Sequence, residues 1–152
     1  MSITTAMTSV PKPAPDLIEA FRGLPTSVIS DNLARLPGAV GLRPFHRGSK
    51  LVGTAFTVRT RPGDNLAIHK ALELVGPGDV IVVDGKGDTT CALMGAIMIN
   101  ACKVLGLGGV VLDAAVRDTE ELRELGFPVF SVGSNPNGPT KFVPGRINWP
   151  IS

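Results

Sequence analysis

Asp79-Val80-Ile81-Val82-Val83-Asp84-Gly85-Lys86-Gly87-Asp88 and, further on, Gly109-Val110-Val111-Leu112-Asp113-Ala114-Ala115-Val116-Arg117-Asp118 decide how this 152-residue chain folds. Val80 to Val83 and Val110 to Leu112 are short, continuous apolar runs with no polar alternation. Such runs belong to strands covered on both faces, as in parallel sheets. Between them, Gly95 to Leu105 carries Ile97, Met98, Ile99, Ala101, Cys102, Val104 and Leu105. That spacing predicts an apolar helix, packed on several sides and stopped by Gly106. Strand, helix and strand in this order argue for an α/β layered domain.

The flanks extend the pattern. Downstream, Asp118 is expected to open a short helix ending at Leu125 and Gly126, and Val129 to Val132 reads as another strand. Upstream, Leu51 to Thr60 is strand-like, rich in Val, Thr and Phe. Asp64 is placed to cap a helix of about Asn65 to Val75, which Gly76-Pro77-Gly78 stops. Two amphipathic helices are expected before that. One carries Leu17, Ile18 and Phe21 on its inner face; the other carries Val28, Ile29 and Leu33 and ends at Pro37-Gly38. Residues 1–15 are rich in Ser, Thr and Pro and read as a flexible arm. Residues 16–152 then form a single domain.

Composition narrows the function. The formal charge is +2, and the 15 Lys and Arg are scattered, with no run of four. Aromatic residues make up only 5% and Tyr is absent, which argues against a base-stacking nucleic-acid platform. Cys91 and Cys102 offer neither a disulfide framework nor a zinc-binding pattern. The first ten residues lack the features of a secretory signal, and no apolar run approaches a membrane span. A soluble cytoplasmic protein is expected.

Three features are candidates for chemistry. Gly85-Lys86-Gly87-Asp88 follows a strand, but Thr90 stands where a dinucleotide fingerprint needs glycine, so a tight turn is the reading. Gly95 precedes the apolar helix. Its role is either simple capping and close packing, or the opening of an anion pocket on the amides of Ala96, Ile97 and Met98. Arg117-Asp118 lies past the carboxyl end of a strand, where ligands collect in α/β sheets. Asp84 is expected on the same rim if the two strands are parallel. Asp118 also admits two roles. With Glu121 three residues on it resembles a capping box; alternatively its carboxylate is a hard ligand for a divalent cation. His46 and His69 are isolated, and His69 is expected at the surface.

Gly78 to Gly85, then Gly95, then Gly109 to Asp118, together resemble the RraA-like family. It includes class II 4-hydroxy-4-methyl-2-oxoglutarate/4-carboxy-4-hydroxy-2-oxoadipate aldolases and regulators of ribonuclease E activity. The resemblance runs from about Leu24 to the end. The Arg-Asp pair with Glu121 following is the aldolase-like feature. The resemblance implies a swivelling-domain-like β/β/α sandwich, assembled as homotrimers or hexamers with sites between subunits. It implies that Asp118 ligates Mg²⁺, Mn²⁺ or another divalent cation and that Arg117 binds the pyruvyl portion of a small 2-oxo acid. The amides around Gly95, Ala96, Ile97 and Met98 would take the carboxylate. The implied reaction is retro-aldol cleavage to pyruvate, with oxaloacetate decarboxylation as a second activity. A non-catalytic regulatory or binding protein is the alternative.

Two departures from the family pattern stand out. An acidic residue is expected twenty-one positions before Arg117, and Ala96 stands there. Its absence implies an impaired rate. Family members also continue past the segment matched by Asn148-Trp149-Pro150, so this chain is expected to lack their C-terminal part.

Overall fold

The computed structural model describes residues 5–7, 9–35, 38–48 and 50–152. In chain order the elements are β1 (Thr5–Ala6), α1 (Pro15–Arg22), α2 (Thr26–Asn32), β2 (Arg43–Pro44), β3 (Thr54–Arg59) and α3 (Leu66–Ala71). There follow β4 (Asp79–Met94), α4 (Ala96–Val104), β5 (Gly109–Val116), α5 (Thr119–Leu125), β6 (Val129–Ser134) and β7 (Arg146–Ile147). Pro37, expected to help end the second helix, lies outside the described residues, as do residues 1–4 and 8 of the expected arm. The remainder of that arm is tied at two points. Thr5–Ala6 pairs with β7, and the Lys12 ammonium sits on the Asp79 carboxylate at 2.6 Å.

The architecture is mixed α/β, built on one seven-stranded sheet in the order β1-β7-β3-β4-β5-β6-β2. Its centre, β3 to β6, is parallel, as the uninterrupted valine and isoleucine runs require. The edges differ: β2 runs antiparallel to β6, and β7 antiparallel to β3.

One face of the sheet holds the core. Ala67, Ile68 and Ala71 of α3, Ile99 and Cys102 of α4, and Leu122 of α5 are fully buried with strand residues such as Ile81, Val83, Leu112 and Val116. The other face is only loosely roofed. The two N-terminal helices exist as expected, but neither buries a residue. Leu17, Phe21, Val28 and Leu33 remain exposed. Phe21, Leu24 and Ile29 stand across a groove of about 770 Å³ from Val82, Val111 and Phe130 of the sheet. An amphipathic pattern specifies a face to be covered, and the described residues do not supply the cover. The same correction applies to α4. It packs on one side only, leaving Ile97 83% and Val104 79% exposed.

The glycine-rich segment is not a loop after a short strand. It lies within β4, which is continuous from Asp79 to Met94. Between the pairs Asp84↔Asp113 and Met94↔Val116, β4 advances ten residues while β5 advances three. The surplus bulges outward through Lys86 and Gly87, both left-handed at φ +61° and +66°. Gly85 is needed for close approach: a β-carbon there would lie 2.7 Å from the Asp113 carbonyl oxygen. The returning limb is laced by a later loop, with Asn135 Nδ2 donating to the Thr89 carbonyl and Ala92 N–H to the Asn137 carbonyl.

Candidate functional site

Because β4 and β5 finish together at Met94↔Val116, the residues that follow them emerge side by side. Arg117 N–H donates to the Met94 carbonyl at 3.1 Å. Gly95 then starts α4, and Asp118 precedes α5. The strand therefore delivers the Arg-Asp pair directly, with no intervening loop at Asp113.

Asp118 does not cap its own helix. Its backbone is left-handed (φ 58°, ψ 44°), and its side chain makes no capping bond to α5. A non-glycine residue in that region is uncommon and marks a local constraint. The constraint is visible: Oδ2 reaches across to accept the Ala96 N–H at 2.9 Å, at the start of α4. Here the carboxylate meets the positive end of a neighbouring helix. The Arg117 Nε lies 3.7 Å from the same oxygen. Gly95 makes room for both. A β-carbon on Gly95 would overlap Asp118 Oδ2 and stand 2.9 Å from Arg117 Cγ. The expected amide pocket is thus partly occupied: Ala96 gives its N–H to Asp118, while Ile97 and Met98 keep first-turn amides with no intrahelical partner.

Arg117, Asp118 and Gly95 line a cavity of about 170 Å³ together with Asn65, His69 and Lys141. That volume suits a small organic acid. His69, expected at the surface, is half-buried here. Its spacing from Asn65, four residues along a helix, was the available signal, since i and i+4 share a face. Burial, with the Lys141 charge nearby, holds the His69 imidazole below its ordinary pKa. It is therefore neutral at pH 7. Asn65 donates from Nδ2 to the Leu93 carbonyl at 2.8 Å. Lys141 had no sequence signal. It is placed by Asp64, which accepts from Phe142 N–H at 2.7 Å, Thr140 Oγ1 at 2.7 Å, Val143 N–H at 3.2 Å and Leu66 N–H at 3.0 Å. One buried carboxylate thus anchors both α3 and the segment opposite.

Asp84, expected on the same rim, is elsewhere. It sits mid-strand, bound by Arg59 Nε at 2.8 Å and Lys86 Nζ at 3.1 Å. Its strand partner is parallel as expected, but β4 runs ten residues further before reaching the site. Cys102 is core as expected, and burial pushes its thiol up to about 12. His46 is buried against Val129.

Among the described residues no group of three or more His, Cys, Asp and Glu is arranged to hold a metal. Asp118 offers one carboxylate oxygen with no hydrogen-bond partner among the described residues, its Oδ2 being engaged by Ala96. Mg²⁺ keeps several waters and is commonly held by one or two carboxylates, so this donor set fits a hydrated divalent cation and would not fit a dehydrated cage.

A family model described as Aldolase/RraA matches residues 26–152. The chain belongs to the RraA-like family. A provisionally named 4-hydroxy-4-methyl-2-oxoglutarate aldolase of Halalkalibacterium halodurans is 42% identical over 138 residues, 90% of this chain and 66% of that protein. The 4-hydroxy-4-methyl-2-oxoglutarate aldolase of Thermus thermophilus is 34% identical, over 72% of this chain and 66% of its own length. These alignments span just under two thirds of those relatives. Among solved structures, the RNA-processing inhibitor RraA from Thermus thermophilus superposes with a TM-score of 0.76 at 31% identity, covering 84% of this RraA-like chain and 78% of the other. No helix among the described residues is long and apolar enough to cross a membrane.

Proposed function

We propose that this RraA-like chain cleaves 4-hydroxy-2-oxo acids of the 4-hydroxy-4-methyl-2-oxoglutarate type to pyruvate, with divalent-metal dependence. The observation that carries this is the Asp118 carboxylate. It is turned away from its own helix and held beside Arg117, in a cavity sized for a small acid. The relatives' aldolase names support the same reaction.

Asp118 would hold Mg²⁺ or Mn²⁺, with water completing the coordination. When bound, the cation supplies Lewis-acid polarisation of the 2-keto oxygen. The chain's residues do the rest. The Ile97 and Met98 amides, at the positive end of α4, orient the substrate carboxylate. Arg117 aims its planar fork at the keto oxygen, where negative charge develops. The C4 hydroxyl gives its proton to solvent water and C4 becomes a carbonyl. The C3–C4 bond breaks, its electron pair passes into the C2–C3 enolate, and protonation at C3 gives pyruvate. From 4-hydroxy-4-methyl-2-oxoglutarate both products are pyruvate. Oxaloacetate decarboxylation passes through the same enolate and is proposed as a second activity. Ala96 lacks the carboxylate expected there, so a reduced rate is proposed as well.

The uncovered apolar face of the sheet and the exposed Ile97 and Val104 support assembly into a homotrimer or hexamer, which sedimentation would measure. One observation favours a second reading, a non-catalytic regulator: Ala96 stands where a carboxylate is expected, and its neighbour Ile97 is apolar and exposed. Pyruvate release from 4-hydroxy-4-methyl-2-oxoglutarate, with Mg²⁺ and with chelator, separates the two. Metal-dependent release abolished in Asp118→Asn is expected. No release in either condition would leave the regulator reading.

A further inference from the structure

Two residues lining the cavity that contains Arg117 carry buried polar atoms with no hydrogen-bond partner among the described residues: Asn65 Oδ1 and His69 Nε2. Such orphans are rare in folded proteins and call for a specific explanation. Asn65 is 2% exposed. Its amide orientation is fixed, because Nδ2 donates to the Leu93 carbonyl at 2.8 Å and lies 3.4 Å from Met98 Sδ. Swapping its oxygen and nitrogen would set carbonyl against carbonyl. Oδ1 is therefore an acceptor without a donor. Both residues line the cavity that contains Arg117 and Asp118.

We infer that Asn65 and His69 form a hydroxyl-binding wall, which takes the C4 hydroxyl of the substrate and so selects hydroxylated 2-oxo acids. The inference rests on the aldolase reading above. Its chemistry follows from the donor and acceptor inventory. Asn65 Oδ1 can only accept. His69 Nε2 accepts in one tautomer of the neutral ring and donates in the other. A hydroxyl has one donor and two acceptor positions, so it donates to Oδ1 and accepts from Nε2–H, which selects the tautomer protonated at Nε2. A carboxylate has no proton to give, and would face Oδ1 acceptor to acceptor. The site is thereby polarised. Carboxylate and keto oxygens belong with Arg117, Asp118 and the α4 amides, and the hydroxyl belongs with Asn65 and His69. A wall built this way penalises an analogue lacking the hydroxyl, because its buried polar atoms stay unpaired.

The test compares 4-hydroxy-4-methyl-2-oxoglutarate with 4-methyl-2-oxoglutarate, which lacks only the hydroxyl and cannot be cleaved. With wild-type protein and Mg²⁺, the deoxy acid should inhibit with a constant about tenfold to a hundredfold above the substrate KM. Equal values overturn the inference without any variant being needed. In His69→Phe, cleavage efficiency should fall by about tenfold to a hundredfold, while oxaloacetate decarboxylation, whose substrate has no 4-hydroxyl, changes less than about threefold. His69→Gln, whose amide reproduces a polar group near Nε2, should recover most of the loss. Equal losses on both substrates would make His69 structural and overturn the inference while leaving the aldolase reading intact. Wild-type protein inactive on both substrates would remove that reading and this one with it.

Discussion

Replacing Gly95 by alanine adds one methyl group at the point where the proposed site is tightest. The backbone there is extended (φ −138°, ψ −172°), a conformation any residue adopts, so no conformational penalty arises. The effect is steric. The new carbon would overlap Asp118 Oδ2 and lie 2.9 Å from Arg117 Cγ and 3.0 Å from Arg117 Nε. The Arg117 side chain can yield. Asp118 yields only by leaving the Ala96 N–H, its 2.9 Å partner. A hydrogen bond to a charged group is worth about 1.5–3 kcal/mol, and the interaction with the helix dipole about 0.3–1 kcal/mol more. Gly95→Ala should therefore cost about 2–4 kcal/mol, measured by urea unfolding with an unchanged m-value. Metal-dependent pyruvate release should fall at least about a hundredfold, since the carboxylate and guanidinium are both displaced. In an Asp118→Ala background the same glycine change should cost under about 1 kcal/mol, because the carboxylate is already gone. Wild-type stability and turnover in Gly95→Ala, or a full additive cost in the double variant, would refute the packing of Gly95 against Asp118.

Arg117→Lys should leave the unfolding midpoint within about 1 kcal/mol of wild type yet lower kcat about a hundredfold, because lysine lacks the planar fork; normal kinetics would remove Arg117 from the site. Asp64→Asn should destabilise by about 2–4 kcal/mol in urea, since an amide cannot replace the carboxylate that receives four donors. Burial works to raise the Asp64 pKa, but the bonds from Phe142, Thr140, Leu66 and Val143 outweigh it and the net direction is down. Its stabilisation is thus full above the unfolded-state value and is lost as pH falls through the lower folded one; acid unfolding of wild type below about pH 4 should be blunted in Asp64→Asn. Burial raises both thiols, Cys91 further through Asp88 and Asp64 and Cys102 to about 12, so a disulfide reagent at pH 8 should react at the unfolding rate; immediate labelling of the native protein would contradict their burial.

The α/β class, the four central strands and all five helices were legible, because each rests on local periodicity or on glycine and proline punctuation. What stayed hidden was set by distant partners. The bulge in β4 depends on Asn135 and Asn137, some forty residues away, so nothing local could separate it from a loop. The Asp118 capping box is a sound local pattern. It lost to a tertiary partner, the Ala96 amide, which draws the side chain across to another helix. His69 was misplaced because it is isolated in the sequence, whereas its pairing with Asn65 on one helix face carried the information. The amphipathic α1 and α2 were correct as helices, but amphipathicity states only that a face needs covering, not that this chain covers it.

The central claim is that Asp118 holds a divalent cation beside Arg117. Titration of Mn²⁺ followed by the free-ion paramagnetic resonance signal tests it without relying on turnover. Wild type should bind one Mn²⁺ per chain. Asp118→Asn, which keeps an oxygen for the Ala96 N–H but loses the charge, should remain folded and bind at least about tenfold more weakly. Equal Mn²⁺ binding by the two proteins, or none by wild type, would contradict the claim.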